Sequence, residues 1–263
     1  MERLQRALCF LLDLDGTIFL GSRLLPGAGE FIHYLDEHAI QFLILSNNSA
    51  RTRKEYAEKL HRLGLDLAEE KFLISGEATA IYLNKRKPGA RLYVVGTPAL
   101  EEEFRRHGFE LSDERPDFAV LGFDTTLTYG KLRKLCDLLT AGVPYIATHP
   151  DVNCPTETGF MPDIGAMIEM VAASTGRRPD VIVGKPYEPM VQAVTDRLGI
   201  PLERMCMVGD RLYTDIALGR CGLTTVLVLS GETALKDLPG AAHQPDYIVD
   251  DLGGLLAMLK AIR

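Results

Sequence analysis

Nine short, nearly unbroken apolar runs set the frame for what this chain can fold into: residues 8–12, 42–45, 92–95, 119–123, 145–148, 181–183, 205–208, 225–229 and 247–249. A strand with one wet face alternates in polarity. A run apolar throughout is covered on both faces, as parallel strands are when helices pack on each side. Between the runs lie stretches with helical periodicity at 29–39, 53–63, 129–140, 164–174 and 189–198. Thr52 followed by Glu55 reads as a capping box opening the second of these. Gly64, Gly108, Gly176 and Gly199 stand where helices should stop. The alternation predicts an α/β fold with a doubly wound, mostly parallel, Rossmann-like core sheet.

Nine strands are many for one small sheet, so an internal boundary is expected. Lys85-Arg86-Lys87-Pro88-Gly89 and Gly176-Arg177-Arg178-Pro179-Asp180 are polar and punctuated by Pro and Gly, as hinges are. Cutting there leaves a main domain of residues 1–86 and 180–263 and an inserted α/β domain of residues 87–179, large enough for its own core.

Composition removes several classes. Twenty-nine basic against thirty-six acidic residues give a net charge of −7, which argues against a nucleic-acid partner. No apolar run approaches the roughly eighteen residues of a membrane helix. The apolar stretch 7–12 is cut short by Asp13, too early for a secretory signal. Five scattered cysteines without C-x-x-C spacing read as reduced thiols in a cytoplasmic protein, with no disulfide frame and no zinc site.

Chemistry gathers where strands end. The first run ends in Asp13-Leu14-Asp15-Gly16-Thr17, and strand alternation puts both carboxylates on one side. Side by side they repel unless a cation or a shared proton relieves them. The second run ends in Ser46-Asn47-Asn48-Ser49, where a hydroxyl and adjacent N–H groups can hold a phosphate, although an ordinary N-cap would look the same. The run at 181–183 delivers Gly184-Lys185-Pro186, and a lysine at a strand tip is usually solvated. The run at 205–208 leads into Gly209-Asp210-Arg211-Leu212-Tyr213-Thr214-Asp215, which suits either a hard cation or another capped turn. The first motif is specific enough to stand on its own, while each of the other three read alone leaves the structural alternative open. Together they place an acid pair, a hydroxyl, a lysine and a further acid at equivalent strand ends, which is how one site is assembled in open α/β sheets. There is no G-x-G-x-x-G after the first strand and no P-loop around Lys185.

These four motifs resemble the signatures of the haloacid dehalogenase superfamily of phosphotransferases. The likeness is closest to its 4-nitrophenylphosphatase-like, nucleotide and sugar phosphatase branch, which carries a large α/β cap between the second and third motifs. Three further stretches fit that branch, DLDGTIFLGSRLLPGA, VLGFDTTLTYGKL and PDIGAMIEMVAASTGRRPDVIVGKP, so the likeness spans nearly the whole chain. Tyr213 departs from it, since that position is commonly polar.

The resemblance implies a Mg²⁺-dependent phosphatase acting on a small phosphorylated metabolite. Asp13 would be the nucleophile and Asp15 the general acid and base. Mg²⁺ would be held by Asp13, the Asp15 carbonyl and Asp210, with Asp215 orienting that shell. Ser46, Asn47 and Lys185 would bind the phosphoryl oxygens. The same chemistry would also serve a phosphotransferase or mutase, and a silent ligand-binding relative is the remaining alternative. The cap offers a face for a homodimer. Residues 149–162, the least periodic stretch, are expected to form a loop that selects substrate through His149, Asp151, Asn153, Thr156 and Glu157.

Overall fold

A computed structural model describes residues 2–156 and 158–262. The chain divides into two compact units, one of Met1–Ser46, Ala57–Leu73 and Val194–Arg263, the other of Asn47–Tyr56 and Ile74–Ala193.

The first unit is built on a six-stranded sheet in the order Tyr247–Val249, Thr224–Val228, Met205–Gly209, Cys9–Leu12, Gln41–Ser46, Phe72–Ile74. The strand Cys9–Leu12 runs parallel to both neighbours, with Leu12 opposite Val208 on one side and Ile44 on the other. Every residue of Cys9–Leu12, Met205–Gly209 and Thr224–Val228 is buried, which is why these segments are apolar but for Thr224 and Thr225. Strand order reverses at Cys9–Leu12, because the next strands in sequence go to one side and the C-terminal ones fill the other. Such a reversal opens a crevice at the carboxyl ends of the strands.

The second unit holds a five-stranded sheet in the order Val181–Ile182, Tyr145–Ala147, Phe118–Leu121, Arg91–Val95, Glu110–Leu111, with every pairing parallel. Its core joins Val95, Leu121, Phe123 and Tyr145 to Leu135 and Ile168 of the helices Tyr129–Thr140 and Ile164–Thr175. Both units are therefore mostly parallel α/β layers. No helix of the described residues is long and apolar enough to cross a membrane.

Local signals hold in detail. Thr52 N–H donates to Glu55 at 2.7 Å, and Glu55 N–H donates to the Thr52 hydroxyl at 3.1 Å, closing the capping box. Gly64, Gly108, Gly176 and Gly199 all adopt the left-handed backbone that ends a helix.

Residues 149–162 differ from the expected irregular loop. Asn153–Thr156 and Gly159–Pro162 form an antiparallel ribbon, pairing Asn153 with Pro162 and Thr156 with Gly159. Neither strand buries a face, so nothing imposes alternation on the sequence, and Pro155 and Pro162 obscure the pattern further. Asn153 and Thr156 lie on this ribbon. Glu157 lies outside the described residues.

Candidate active site

The site of the first unit begins at the central strand. Asp13 follows Leu12 and is fixed by donating its N–H to the Val208 carbonyl at 2.9 Å. Leu14 is fully buried while Asp13 and Asp15 are half-buried, so alternation carries past the strand end. Gly16 then turns the chain with φ +90°, donating to the Phe19 carbonyl at 2.8 Å. A Cβ at Gly16 would stand 2.4 Å from Asp210 Oδ2, so the turn needs glycine for space as well as for conformation.

Asp210 follows the neighbouring strand and is 2% exposed. Its Oδ2 accepts from the Glu232 N–H at 2.6 Å, whereas its Oδ1 is buried without a hydrogen-bond partner. Asp215, fully buried, folds back so that its Oδ2 accepts from the Arg211 N–H at 3.1 Å. Gly209 makes room for it, because a Cβ there would meet the Asp215 carboxylate at 2.3 Å. Asp13, Asp210 and Asp215 each offer a carboxylate oxygen within 4.8 Å of the other two. Burial and then the charges of Asp13 and Asp215 push the Asp210 carboxyl well above its ordinary range, against the opposing pull of Arg211.

Three carboxylates this close, one with an oxygen that no proton donor reaches, fit a hard divalent cation taking oxygen ligands. The Asp15 carboxylate is not part of the cluster. Ser46 ends the strand Gln41–Ser46, beside the first strand, and is 4% exposed.

Asn47, His149, Asp151 and Lys185 fall in the second unit. Lys185 is 1% exposed, far from the solvated strand tip that its residue type alone would suggest. Its peptide bond to Pro186 is cis. The Asn47 carboxamide accepts from the Lys185 N–H at 2.7 Å and donates to the Lys185 carbonyl at 3.1 Å. It also donates to Asp151 at 2.8 Å. His149 and Asp151, expected on an open loop, are both buried.

Two features escaped the sequence reading. One is the turn Ser230-Gly231-Glu232, which wraps Asp210. It follows the apolar strand Thr224–Val228 just as the four motifs follow theirs, so the same signal was present. The other is the Asn47 side chain, whose partners are some 100 residues or more away in sequence, where no spacing rule reaches.

A family model for haloacid dehalogenase-like hydrolases matches residues 10–110, and a related hydrolase model matches residues 182–255. An acid sugar phosphatase of Staphylococcus haemolyticus is 36% identical over 253 residues, covering 95% of this chain and 96% of its own. The solved 4-nitrophenylphosphatase of Thermotoga maritima superposes with a TM-score of 0.94 at 44% identity, covering 99% of each chain. A glycerol phosphate phosphatase of Mycobacterium tuberculosis, solved in complex with calcium, gives 0.87 at 32% identity, covering 96% of this chain and 76% of its own. This chain belongs to the haloacid dehalogenase-like hydrolases. Within them it is an enzyme, a phosphoric monoester hydrolase.

Proposed function

We propose that this protein is a Mg²⁺-dependent phosphatase of small phosphomonoesters, sugar phosphates among them, working through an aspartyl-phosphate on Asp13. The observation that carries the reading is the close trio Asp13, Asp210 and Asp215 at the carboxyl ends of two adjacent parallel strands, with Asp210 Oδ1 left without a donor. The acid sugar phosphatase and 4-nitrophenylphosphatase relatives support the choice of substrates.

Asp13 and Asp210, with the Asp15 carbonyl, would hold the cation, and Asp215 would fix Asp210 and Arg211 around it. When bound, Mg²⁺ supplies positive charge that offsets repulsion between a carboxylate and a phosphate dianion. Asp13 attacks phosphorus, forming an Oδ–P bond as the ester P–O bond breaks. Asp15 gives its proton to the departing alkoxide and later takes one from the water that cleaves the aspartyl-phosphate. Ser46, the Asn47 N–H and Lys185 neutralise the transferring oxygens. The inserted segment, residues 87–179, acts as the cap that reads the leaving group.

The test is phosphate release from 4-nitrophenyl phosphate and a panel of sugar phosphates, with Mg²⁺ and with EDTA. Hydrolysis is expected only with the metal, and phosphate is expected free in solution rather than on a second sugar. Full turnover in metal-free buffer would overturn the reading.

A further inference from the structure

We propose that Asp151, backed by His149 and Asp163, is a positioning residue that sets where Lys185 presents its ammonium, acting through the Asn47 carboxamide. The proposal rests on the reading of Lys185 as a phosphate-binding group.

The argument starts from the Asn47 side chain, which is 5% exposed and uses both ends of its amide. Its Oδ1 takes the Lys185 N–H, and its Nδ2 serves the Lys185 carbonyl and the Asp151 carboxylate. An amide can stand either way round in a slot of the same shape. Turned over, it would aim nitrogen at the Lys185 N–H and oxygen at a carboxylate, and lose every one of these bonds. The Lys185 N–H and carbonyl demand this orientation, and Asp151, accepting at its Oδ1, adds a third partner that holds the Nδ2 side in place. One residue thereby grips another at both its N–H and its carbonyl, which fixes the main chain from which the lysine side chain springs.

Asp151 is itself held. It is 5% exposed, with His149 Nδ1 at 3.8 Å from its Oδ1, and its own N–H donates to that nitrogen at 3.4 Å. On the other side of the imidazole, Nε2 lies 3.6 Å from Oδ1 of Asp163. Asp163 caps the helix Ile164–Thr175 by accepting from the Ile164 N–H at 2.6 Å. Buried polar residues therefore line the way from a helix start to the Lys185 main chain, hydrogen-bonded at both ends, while the imidazole side-chain separations of 3.6 and 3.8 Å are packing contacts.

Two glycines allow its close packing. A Cβ at Gly184 would meet His149 Cβ at 2.6 Å and Asn47 Oδ1 at 2.7 Å, and a Cβ at Gly165 would meet the Pro150 carbonyl at 2.5 Å. So the segment that begins the expected substrate loop is used at its root for holding the lysine, and only the ribbon beyond it is open to solvent.

The experiment measures inhibition by inorganic phosphate, together with KM and kcat for 4-nitrophenyl phosphate, in the full-length Mg²⁺-loaded enzyme. Asp151→Ala is expected to weaken phosphate inhibition about tenfold and to raise KM in step. Asp151→Asn, which keeps the volume and one acceptor, is expected to stay within about threefold of wild type. In a Lys185→Ala background, Asp151→Ala should have almost no further effect on phosphate inhibition, because the group it positions is gone. A merely structural role would instead lower melting temperature and activity alike in both backgrounds, and that result overturns the proposal. So does unchanged phosphate inhibition in Asp151→Ala while Lys185→Ala weakens it. If Lys185→Ala itself leaves phosphate inhibition unchanged, the underlying reading of Lys185 fails instead. Should Asp151→Ala not fold, Asp151→Ser keeps a small polar group in place and is read in the same way.

Discussion

A Cβ atom on Gly231 would stand 2.0 Å from Oδ2 of Asp210, so the turn after the strand Thr224–Val228 lies directly against that carboxylate. The contact is reinforced by the Glu232 N–H on the same oxygen and by Ser230, whose hydroxyl donates to the Gly16 carbonyl at 2.8 Å. Arg211 closes the turn from outside through an ion pair with Glu232 at 2.9 Å. Three strand ends thus converge on one carboxylate, and its Oδ1 is the oxygen left over.

Gly231→Ala should therefore act on the metal rather than on the substrate. The methyl group must displace the Asp210 side chain, whose Oδ2, Cγ and Cβ would lie 2.0, 2.4 and 2.6 Å from it. A Mg²⁺ titration of 4-nitrophenyl phosphate hydrolysis should show half-saturation shifted upward by about tenfold or more, the usual cost of disturbing what orients a metal ligand. An unshifted titration would show that Asp210 does not hold the ion.

The two acids of the first motif should separate by leaving group. Asp13→Asn removes the proposed nucleophile and should lower kcat by roughly three orders of magnitude or more on every substrate. Asp15→Asn should cost about a hundredfold on sugar phosphates, whose alkoxides need a proton, and much less on 4-nitrophenyl phosphate, whose phenolate leaves unaided. Equal losses of both substrate types in Asp15→Asn would remove the general-acid role.

What was legible in the sequence follows from what each signal depends on. The runs that became Cys9–Leu12, Met205–Gly209 and Thr224–Val228 are buried on both faces, so composition alone marks them. The motifs at their ends were visible because Asp13, Ser46 and Asp210 each interrupt such a run. The helix Ser75–Arg86 gave no stripe, since it buries Ser75, Glu77 and Thr79 along with its alanines. All three of those polar groups are matched: Thr79 donates its hydroxyl to the Ser75 carbonyl at 2.7 Å, Ser75 donates its own to the Asn47 carbonyl, and Arg53 pairs with Glu77 at 3.1 Å. Lys185 was legible as a residue but not as a buried one, because its surroundings are brought in from afar, its main-chain partner Asn47 standing 138 positions away in the chain.

Acid should reveal the tie at the start of two inner strands of the second unit's sheet. Asp117 accepts from Lys87 Nζ at 2.6 Å and from the Arg91 N–H at 2.9 Å, joining the start of Arg91–Val95 to the strand beside it. The Lys87 hydrogen bond, then the Arg91 N–H, hold the Asp117 carboxyl below its ordinary 3.8. A depressed carboxyl stabilises the fold above its unfolded value, and that gain is lost as pH falls through the folded value. Asp117→Asn should thus melt about 2–4 °C below wild type at pH 7, with the gap constant down to about pH 5 and narrowing below about pH 4. A gap that widened in acid would contradict the assignment.

Substrate discrimination should reside in the exposed ribbon Asn153–Thr156 and Gly159–Pro162. Phe160 is 71% exposed there, with Val152 and Met161 of the same segment also exposed, so the apolar surface is clustered rather than scattered, as at binding surfaces. The base of the ribbon is closed by the Asp163 N–H donating to the Val152 carbonyl at 2.9 Å, so changes near the tip should not disturb its root. Phe160→Ala is accordingly expected to change the ratio of kcat/KM values between sugar phosphates and 4-nitrophenyl phosphate by about fivefold or more, the scale of one apolar contact. Mg²⁺ half-saturation and inhibition by free phosphate should stay within about twofold, since the proposed mechanism assigns those to Asp13, Asp210, Ser46 and Lys185. A loss by one common factor across all substrates would place discrimination elsewhere in residues 87–179.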